Sequence, residues 1–442
     1  MSQHVIIVGA GPGGLAAGIL LAHHGYEVDI YETKDTVGGR NGSISLGSYT
    51  FDIGPTFLMM KFVLEEIFQA TGRSLHDYVK LTELDPMYRL VFSPDKIFYP
   101  TRDPQKMKQE IERLFPGNSN GYDRYLKKEK KKYEQLVPCL QIPYASYADF
   151  LTKRFITSLP YIDAHKSLYT QLSQYFSDPD LITSFTFQAK YIGMSPWEAP
   201  GTFSIISYIE HGLGIFHVEG GLNVLSKAMA RVIEEEGGKI HLGTEVRKLI
   251  TEDGTARGVE LKNGQIRKAD AVVMNADFAY GMTDLVDPGI RKKYSDAKLK
   301  QKQYSCSTFM LYLGVDKIYR DIPHHNILFS ENYRKNVDEI TIHRALSEDP
   351  SIYVQNASVT DKTLAPEGKS TLYVLVPTPN QKSGINWSRE ADAFKEKILS
   401  LMESRGGFTD LRSHIEVEKI ITPDNWEKDY NVYLGATFNL GH

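Results

Sequence analysis

Three glycines and one carboxylate near the start of the chain have the spacing of a diphosphate-binding turn. Gly9, Gly11 and Gly14 fall at G-x-G-x-x-G, with Pro12 and Gly13 inside the same turn. Glu32 follows eighteen residues after Gly14. Gly9 makes the turn out of a strand, Gly11 lets the backbone approach a pyrophosphate, and Gly14 permits close helix–sheet packing. Phosphates at a helix N-terminus are favoured by free N–H groups and by the helix dipole. Glu32 is placed to accept the hydroxyls of an adenosine ribose. Gly38-Gly39-Arg40 then brings a second glycine loop and a guanidinium fork that neutralises a pyrophosphate. The chemistry is therefore the binding of a dinucleotide, at Gly9, Gly11, Pro12, Gly13, Gly14, Glu32, Gly39 and Arg40.

These groups work only if strand, turn, helix and strand come in order. Val5–Val8 is a β-branched run that reads as a buried strand. Residues 15–24 carry apolar residues at helical spacing, and Gly25 ends the helix. Residues 27–31 form the second strand and deliver Glu32. This opening, with the second glycine pair and Arg40, resembles the flavin-binding start of the FAD amine-oxidase and phytoene-desaturase superfamily.

Further elements extend this frame. Residues 44–46 and 49–52 alternate as an antiparallel pair, and Gly54-Pro55-Thr56 is a turn that brings backbone to the cofactor side. Residues 61–71 read as an amphipathic helix closed by Gly72. Residues 84–92 and 96–100 read as two strands, and Asp103-Pro104 starts a helix. Residues 133–212 have helical character, with Phe185, Phe187, Tyr191 and Met194 and the stretch 201–210 suited to an apolar tunnel or to plain core. The run Lys127–Lys132 reads as a solvated helix face, or as a contact for anionic lipid headgroups. After a helix at 223–236 come short strands at 239–242, 245–253, 256–262 and 265–268, with Asn263-Gly264 as a type I′ hairpin turn. A buried strand at 270–274 returns to the nucleotide region. There Asn275 and Ala276 approach the adenosine half, and the backbone of Val246 holds the adenine. Residues 305–315, 371–376 and 415–421 read as strands, and 390–403 as a helix. His324, His325 and His343 fall in expected loops, as surface or rim histidines without metal spacing.

Composition bounds the class. A chain of 442 residues with 41% hydrophobic and 24% charged residues is long enough for two or three globular domains. A net charge of −4 gives no basic field for nucleic acid. Two distant cysteines, Cys139 and Cys306, indicate a reducing compartment and no metal centre. The chain enters its first strand with no signal peptide, and no apolar run reaches the length of a membrane span. With 26 tyrosines and 20 phenylalanines, the aromatic load suits an apolar ligand channel.

The resemblance narrows over the whole chain. Beyond the opening, Phe51-Asp52-Ile53-Gly54-Pro55-Thr56, Asp85-Pro86-Met87-Tyr88-Arg89, Phe115-Pro116-Gly117, the segment from Phe187-Gln188 to Ser195-Pro196, Glu219-Gly220-Gly221, Asn275-Ala276-Asp277 and Tyr433-Leu434-Gly435-Ala436 occur in family order. The chain resembles the carotenoid desaturases of the phytoene and dehydrosqualene (diapophytoene) type, and Met59-Met60 is closer to members acting on C30 chains. The family ordinarily goes on to a glycine-rich Gly-Gly-Thr-His-Pro-type segment beyond Gly441-His442. Part of the flavin site, one strand and a closing helix are expected to be missing here.

The resemblance implies an α/β fold. A Rossmann-like FAD-binding domain (1–80 and 215–285) is joined to an antiparallel-sheet substrate domain (81–120 and 286–442) and a helical, membrane-facing insert (121–214). It implies FAD, a long apolar isoprenoid substrate, a quinone or oxygen as electron acceptor, and a cytoplasmic protein lying peripherally on a membrane. The reaction would remove a hydride from an allylic carbon to flavin N5 and a proton from its neighbour. Conjugation stabilises the positive charge and the cofactor carries the hard chemistry, so no catalytic residue is assigned. The same scaffold serves carotenoid oxidases and isomerases, flavin amine or protoporphyrinogen oxidases, and non-catalytic prenyl-binding escort proteins. Flavin absorbance separates enzyme from escort.

Overall fold

The β-branched run at His4–Val8 forms an inner strand of a four-stranded parallel sheet. The spatial order is Ala271–Met274, His4–Val8, Glu27–Tyr31, Lys239–His241. Ile6 and Ile7 are fully buried, as expected where both faces of a parallel sheet are covered. The computed structural model describes residues 3–291 and 293–441. The first helix, Pro12–His23, starts three residues before the apolar pattern does, because proline's fixed φ suits a first helical turn. It packs beside the helix Asn223–Glu235, with Gly18 against Ile30 and Ile233. Ala271–Met274, expected to be buried, is largely half-exposed, because it is the edge strand of this sheet.

Val246–Glu252, Thr255–Leu261 and Ile266–Lys268 form an antiparallel meander. The hairpin at Asn263-Gly264 exists, but not as a type I′ turn. Only Gly264 has a positive φ, 83°, and Leu261 N–H donates to the Gln265 carbonyl around a three-residue loop. A left-handed glycine closing such a loop is the next commonest hairpin solution.

The large sheet has seven strands in the order Ile415–Ile421, Ser307–Val315, Ser370–Thr378, Ile352–Asn356, His325–Leu328, Arg89–Ser93, Lys96–Phe98. Its neighbours pair antiparallel, except that Arg89–Ser93 runs parallel to His325–Leu328. The helix Trp387–Ser404 covers one face through Trp387, Phe394, Ile398 and Met402. The hairpin Ser43–Leu46/Tyr49–Asp52 covers part of the other. Phe51 and Ile53 pack there on Tyr312 and Tyr373, and Tyr312 O–H donates to the Ile53 carbonyl at 2.7 Å. This contact fixes the cofactor side of the chain against the large sheet.

Residues 104–213 are helical. Asp103 caps the helix Pro104–Leu114 by accepting from the N–H groups of Gln105 and Lys106. The long helix Ser119–Leu140 carries the lysine run, and the run divides. Lys127, Lys128, Lys130 and Lys131 are exposed. Glu129 and Lys132 are instead buried and paired at 3.2 Å, with Lys132 also 2.8 Å from Asp163. The i, i+3 spacing turns those two onto the inner face. Among the described residues no helix is long and apolar enough to cross a membrane.

One expectation about the histidines fails. His343 is exposed, but His324 and His325 are buried, and His325 opens an inner strand of the large sheet. Their ring nitrogens find polar partners on the neighbouring strand, Gln355 for His324 and Tyr353 for His325. Those partners lie about thirty residues further along the chain, beyond the reach of local patterning.

Candidate functional site

The glycine-rich turn opens onto a cleft of about 470 Å³. Gly9, Gly11, Pro12 and Gly13 line one wall, Glu32, Gly39 and Arg40 the second, and Val246, Asn275 and Ala276 the third. Ten of the fourteen residues singled out from sequence therefore meet in one cavity.

The remaining four lie elsewhere. Gly14 faces the sheet, where a Cβ would stand 2.3 Å from the Gly9 carbonyl oxygen, so its role is packing. Gly54 packs on Arg40, with a Cβ position 2.6 Å from the Arg40 carbonyl oxygen. Pro55 is exposed, and Thr56 is buried and turned toward the large sheet. Ile53, just before this turn, does line the cleft, so Gly54-Pro55-Thr56 forms its partition from the sheet.

The cleft's polar groups are held ready for a dinucleotide. The helix from Pro12 begins with no side-chain cap, leaving its first N–H groups free. Glu32 accepts from Ala10 N–H at 2.8 Å and Lys34 N–H at 2.9 Å, which fixes the carboxylate while leaving it lone pairs. Arg40 donates to the Thr437 carbonyl at 2.6 Å, and no described carboxylate lies within ion-pair distance of it. Burial lowers the Arg40 pKa, partly offset by Asp277, so this guanidinium lacks a close counter-charge that a diphosphate would supply. Asn275 Nδ2–H donates to the Gly9 carbonyl at 3.2 Å and lies over the turn. A Cβ on Gly13 would stand 2.7 Å from Asn275 Oδ1. The residues present therefore fit an adenine dinucleotide.

Sequence reading missed part of this wall. Asp429–Val432 closes the cleft, tied down by Lys34 Nζ–H donating to the Asp429 carbonyl at 2.6 Å. Tyr31 and Tyr280 also line it. The signal for Tyr31 was its place one residue before Glu32. For Asp429–Val432 there was none.

Behind the partition lies a buried polar layer that sequence reading did not find. His217, in the strand Phe216–Val218, is 2.8 Å from Asp361 Oδ2, which also accepts Gly220 N–H at 2.7 Å. Burial raises the Asp361 pKa, but the bonds from His217, Thr363 and Gly220 outweigh it and hold this carboxyl below its ordinary range. The His217 ring lies 4.6 Å from that of His324, and His324 lies 4.4 Å from His325. Burial drives both His324 and His325 well below the ordinary imidazole pKa, and neighbouring imidazoles add to it, so both rings are neutral. His325 Nδ1 is 2.8 Å from the Tyr353 hydroxyl, which is 2.6 Å from Thr56 Oγ1. Asp52 completes the layer by accepting Leu222 N–H at 2.8 Å, with its pKa pushed up to about 7 by burial.

On the side of the helices, the layer meets an aromatic block. Phe57 stands 5.0 Å from His325 and 5.5 Å from Tyr191, and Tyr191 stands 6.0 Å from Phe187. Phe185 and Phe187 are buried in the main aromatic cluster, while Tyr191, Met194 and Met59 are half-buried against it. Within that cluster Glu210 has no exposed surface and accepts from Tyr88 O–H at 2.9 Å and Gln188 N–H at 2.8 Å. Burial pushes its pKa up to about 7.

The family comparisons agree with this arrangement. The model of the flavin-containing amine oxidoreductases matches residues 12–429. A 4,4'-diapophytoene desaturase (4,4'-diapolycopene-forming) from Methylomonas sp. is 48% identical over 441 residues, spanning 100% of this chain and 86% of that protein. The chain belongs to the carotenoid desaturase family. The zeta-carotene-forming phytoene desaturase of Myxococcus xanthus is 37% identical over 441 residues, 99% of this chain and 84% of that one. A crystal structure of an oxidoreductase from Methanosarcina mazei shares the fold, with a TM-score of 0.61 at 19% identity, covering 95% of this chain and 87% of its own. FAD is the cofactor of this desaturase family member.

Proposed function

We propose that this FAD-dependent carotenoid desaturase acts on a C30 chain of the diapophytoene type, drawn from a membrane surface. The 48% identity to a 4,4'-diapophytoene desaturase supports the chain length. The single observation that supports the assignment of reaction is that one short stretch joins the two regions, with Gly54 packed on Arg40 of the dinucleotide cleft and Phe57 packed on His325 and Tyr191 of the aromatic block. Bound in the cleft, FAD supplies the hydride acceptor. In this reading Arg40 and the Pro12 helix end hold the diphosphate, Glu32 the ribose, and Val246, Asn275 and Ala276 the adenosine half. The rings of Phe57, Tyr191 and Phe187 exclude water and present π-faces to positive charge as it spreads along the polyene.

Membrane docking is supported by one exposed patch. Leu140, Tyr147, Leu151, Ile156 and Leu159 lie within twenty residues, and Tyr147 is 93% exposed, Leu151 75% and Leu140 70%. Lys127, Lys128, Lys130, Lys131, Lys153 and Arg154 are exposed on the same and adjoining helices. Apolar side chains beside cations are what an anionic bilayer surface takes up. A quinone dissolved in that bilayer is the electron acceptor that fits this placement.

Co-expression with a synthase supplying either the C30 or the C40 precursor, followed by pigment chromatography, tests the reading. Conjugated C30 polyenes are expected. Pigment from the C40 precursor alone would overturn the chain length, and colourless extracts from both would overturn the reaction.

A further inference from the structure

Desaturation must dispose of a proton as well as a hydride, and the residues that receive it are not given by the cofactor. We propose that His325 is the base that takes this proton, with Tyr353 and Thr56 holding its ring. The inference rests on the desaturase reading above.

The geometry selects His325 from the other buried groups. A base for this step must lie beside the aromatic block, keep a lone pair free, and be neutral before it acts. His325 faces Phe57 at 5.0 Å between ring centres. Its Nε2 is buried without a hydrogen-bond partner, while Nδ1 is engaged at 2.8 Å by Tyr353. With Nδ1 carrying the hydrogen and donating to the Tyr353 oxygen, Tyr353 O–H donates onward to Thr56 at 2.6 Å. That polarity leaves a bare lone pair on Nε2. The neighbouring imidazoles are less suited. His217 is committed to Asp361, and His324, though its Nδ1 is also without a partner, packs on His217 and His325 while His325 is the ring that meets Phe57.

Low basicity is no obstacle. Once a hydride has left an allylic carbon, the adjacent C–H bond is strongly acidic, so a weak neutral base suffices. The C–H electron pair becomes the new double bond, the hydride goes to the bound FAD, and the proton goes to Nε2. The resulting imidazolium keeps its Nδ1–H on Tyr353, whose hydroxyl is held in turn by Thr56, and it gives up the Nε2 proton to solvent after the product leaves. Glu210 and His211, two other buried titratable groups near the block, are poorer choices, His211 because it stacks on Phe185 deep in the helical cluster. Glu210 Oε2 accepts from Tyr88 and Gln188 and Oε1 is without a partner, but the carboxyl lies on the helical side, behind Tyr191.

His325→Gln, Tyr353→Phe and Glu210→Gln in the full chain test this. Removing a general base is expected to slow the single-turnover formation of a double bond ~100-fold. FAD content and melting temperature should be retained. The isotope effect at the proton-losing carbon should rise in His325→Gln, while that at the hydride-losing carbon falls, a split that mere loosening of the site does not produce. Tyr353→Phe should slow the reaction ~10-fold with the same sense of isotope change. It decides the matter if His325→Gln fails to fold. Nitrogen-15 spectra of the histidine-labelled, flavin-free protein should show the His325 ring neutral with hydrogen on Nδ1. Hydrogen on Nε2 would overturn the proposal, as would a wild-type rate in both variants or the isotope change appearing in Glu210→Gln instead. A wild-type protein without desaturase activity would overturn the underlying reading, which separates the two failures.

Discussion

The cofactor cleft and the buried polar layer lie on opposite sides of one short turn, Gly54-Pro55-Thr56, yet they were written into the chain in different ways. The cleft is assembled largely from contiguous pieces, residues 8–13 and 31–44 with the loop after Met274. The polar layer takes His217, His324-His325, Tyr353 and Asp361 from four separate places in the sequence. In the proposed reading the cleft binds through backbone N–H groups and one carboxylate, whose positions follow from strand–turn–helix spacing. The layer works through side chains whose partners are set by strand pairing. A motif can encode the first kind of site, and only the completed fold discloses the second.

If that contrast holds, damage to each side should have its own signature. The largest effect is expected at Gly14→Val. Its side chain would drive into the Gly9 carbonyl, at a site where overpacking costs about 3 kcal/mol, and flavin should be lost together with much of the folded protein. Soluble yield and absorbance in the flavin bands report it.

Glu210 should show the opposite behaviour, with no effect on flavin and a clear one on pH dependence. Its carboxyl keeps its proton to about pH 7 when folded, against 4.5 for the free side chain. Between those values the native state binds the extra proton, so stability is highest below 4.5 and falls as pH rises toward 7. The total is about 3 kcal/mol. Glu210→Gln should flatten this slope in melts from pH 4.5 to 7.5, leaving the variant relatively more stable at the alkaline end. An unchanged slope would show that this carboxyl does not carry the pH dependence.

Arg40→Ala comes next. Loss of charge-assisted bonds worth about 2 kcal/mol should weaken FAD ~30-fold in a fluorescence titration, with the apoprotein melting as before. Arg40→Lys should recover part of it, since an ammonium keeps the charge but not the fork. The smallest effect concerns neither side. Tyr147→Asp with Leu151→Asp should reduce sedimentation with anionic vesicles ~10-fold, given about 0.7 kcal/mol for partial burial of each side chain at a bilayer surface, and leave FAD binding intact.

Much of the cofactor half was legible because local rules act there without competition. The strands Glu27–Tyr31 and Tyr49–Asp52 fall where alternation and turn residues put them, and outside that half Asp103 likewise caps its helix as its type demands. Legibility failed where tertiary contact overrode local pattern. Lys132 reads as solvated in a lysine run, but its position three residues from Glu129 buries the pair against Asp163. His324-His325 reads as a polar loop, but two layers cover the strand it begins. Tyr353 and Asp361 carry no motif, and Asp429–Val432 joins the cleft only because Lys34 holds it there.

The central claim is that one cavity holds FAD and the adjoining aromatic block presents a linear isoprenoid to it. An anaerobic single-turnover experiment tests it most directly, with the flavin-loaded protein mixed with vesicles carrying the C30 substrate. The account predicts that flavin absorbance bleaches in step with growth of a longer-wavelength polyene band, one double bond for each flavin reduced. A polyene spectrum that stays unchanged beside a fully oxidised flavin would contradict it.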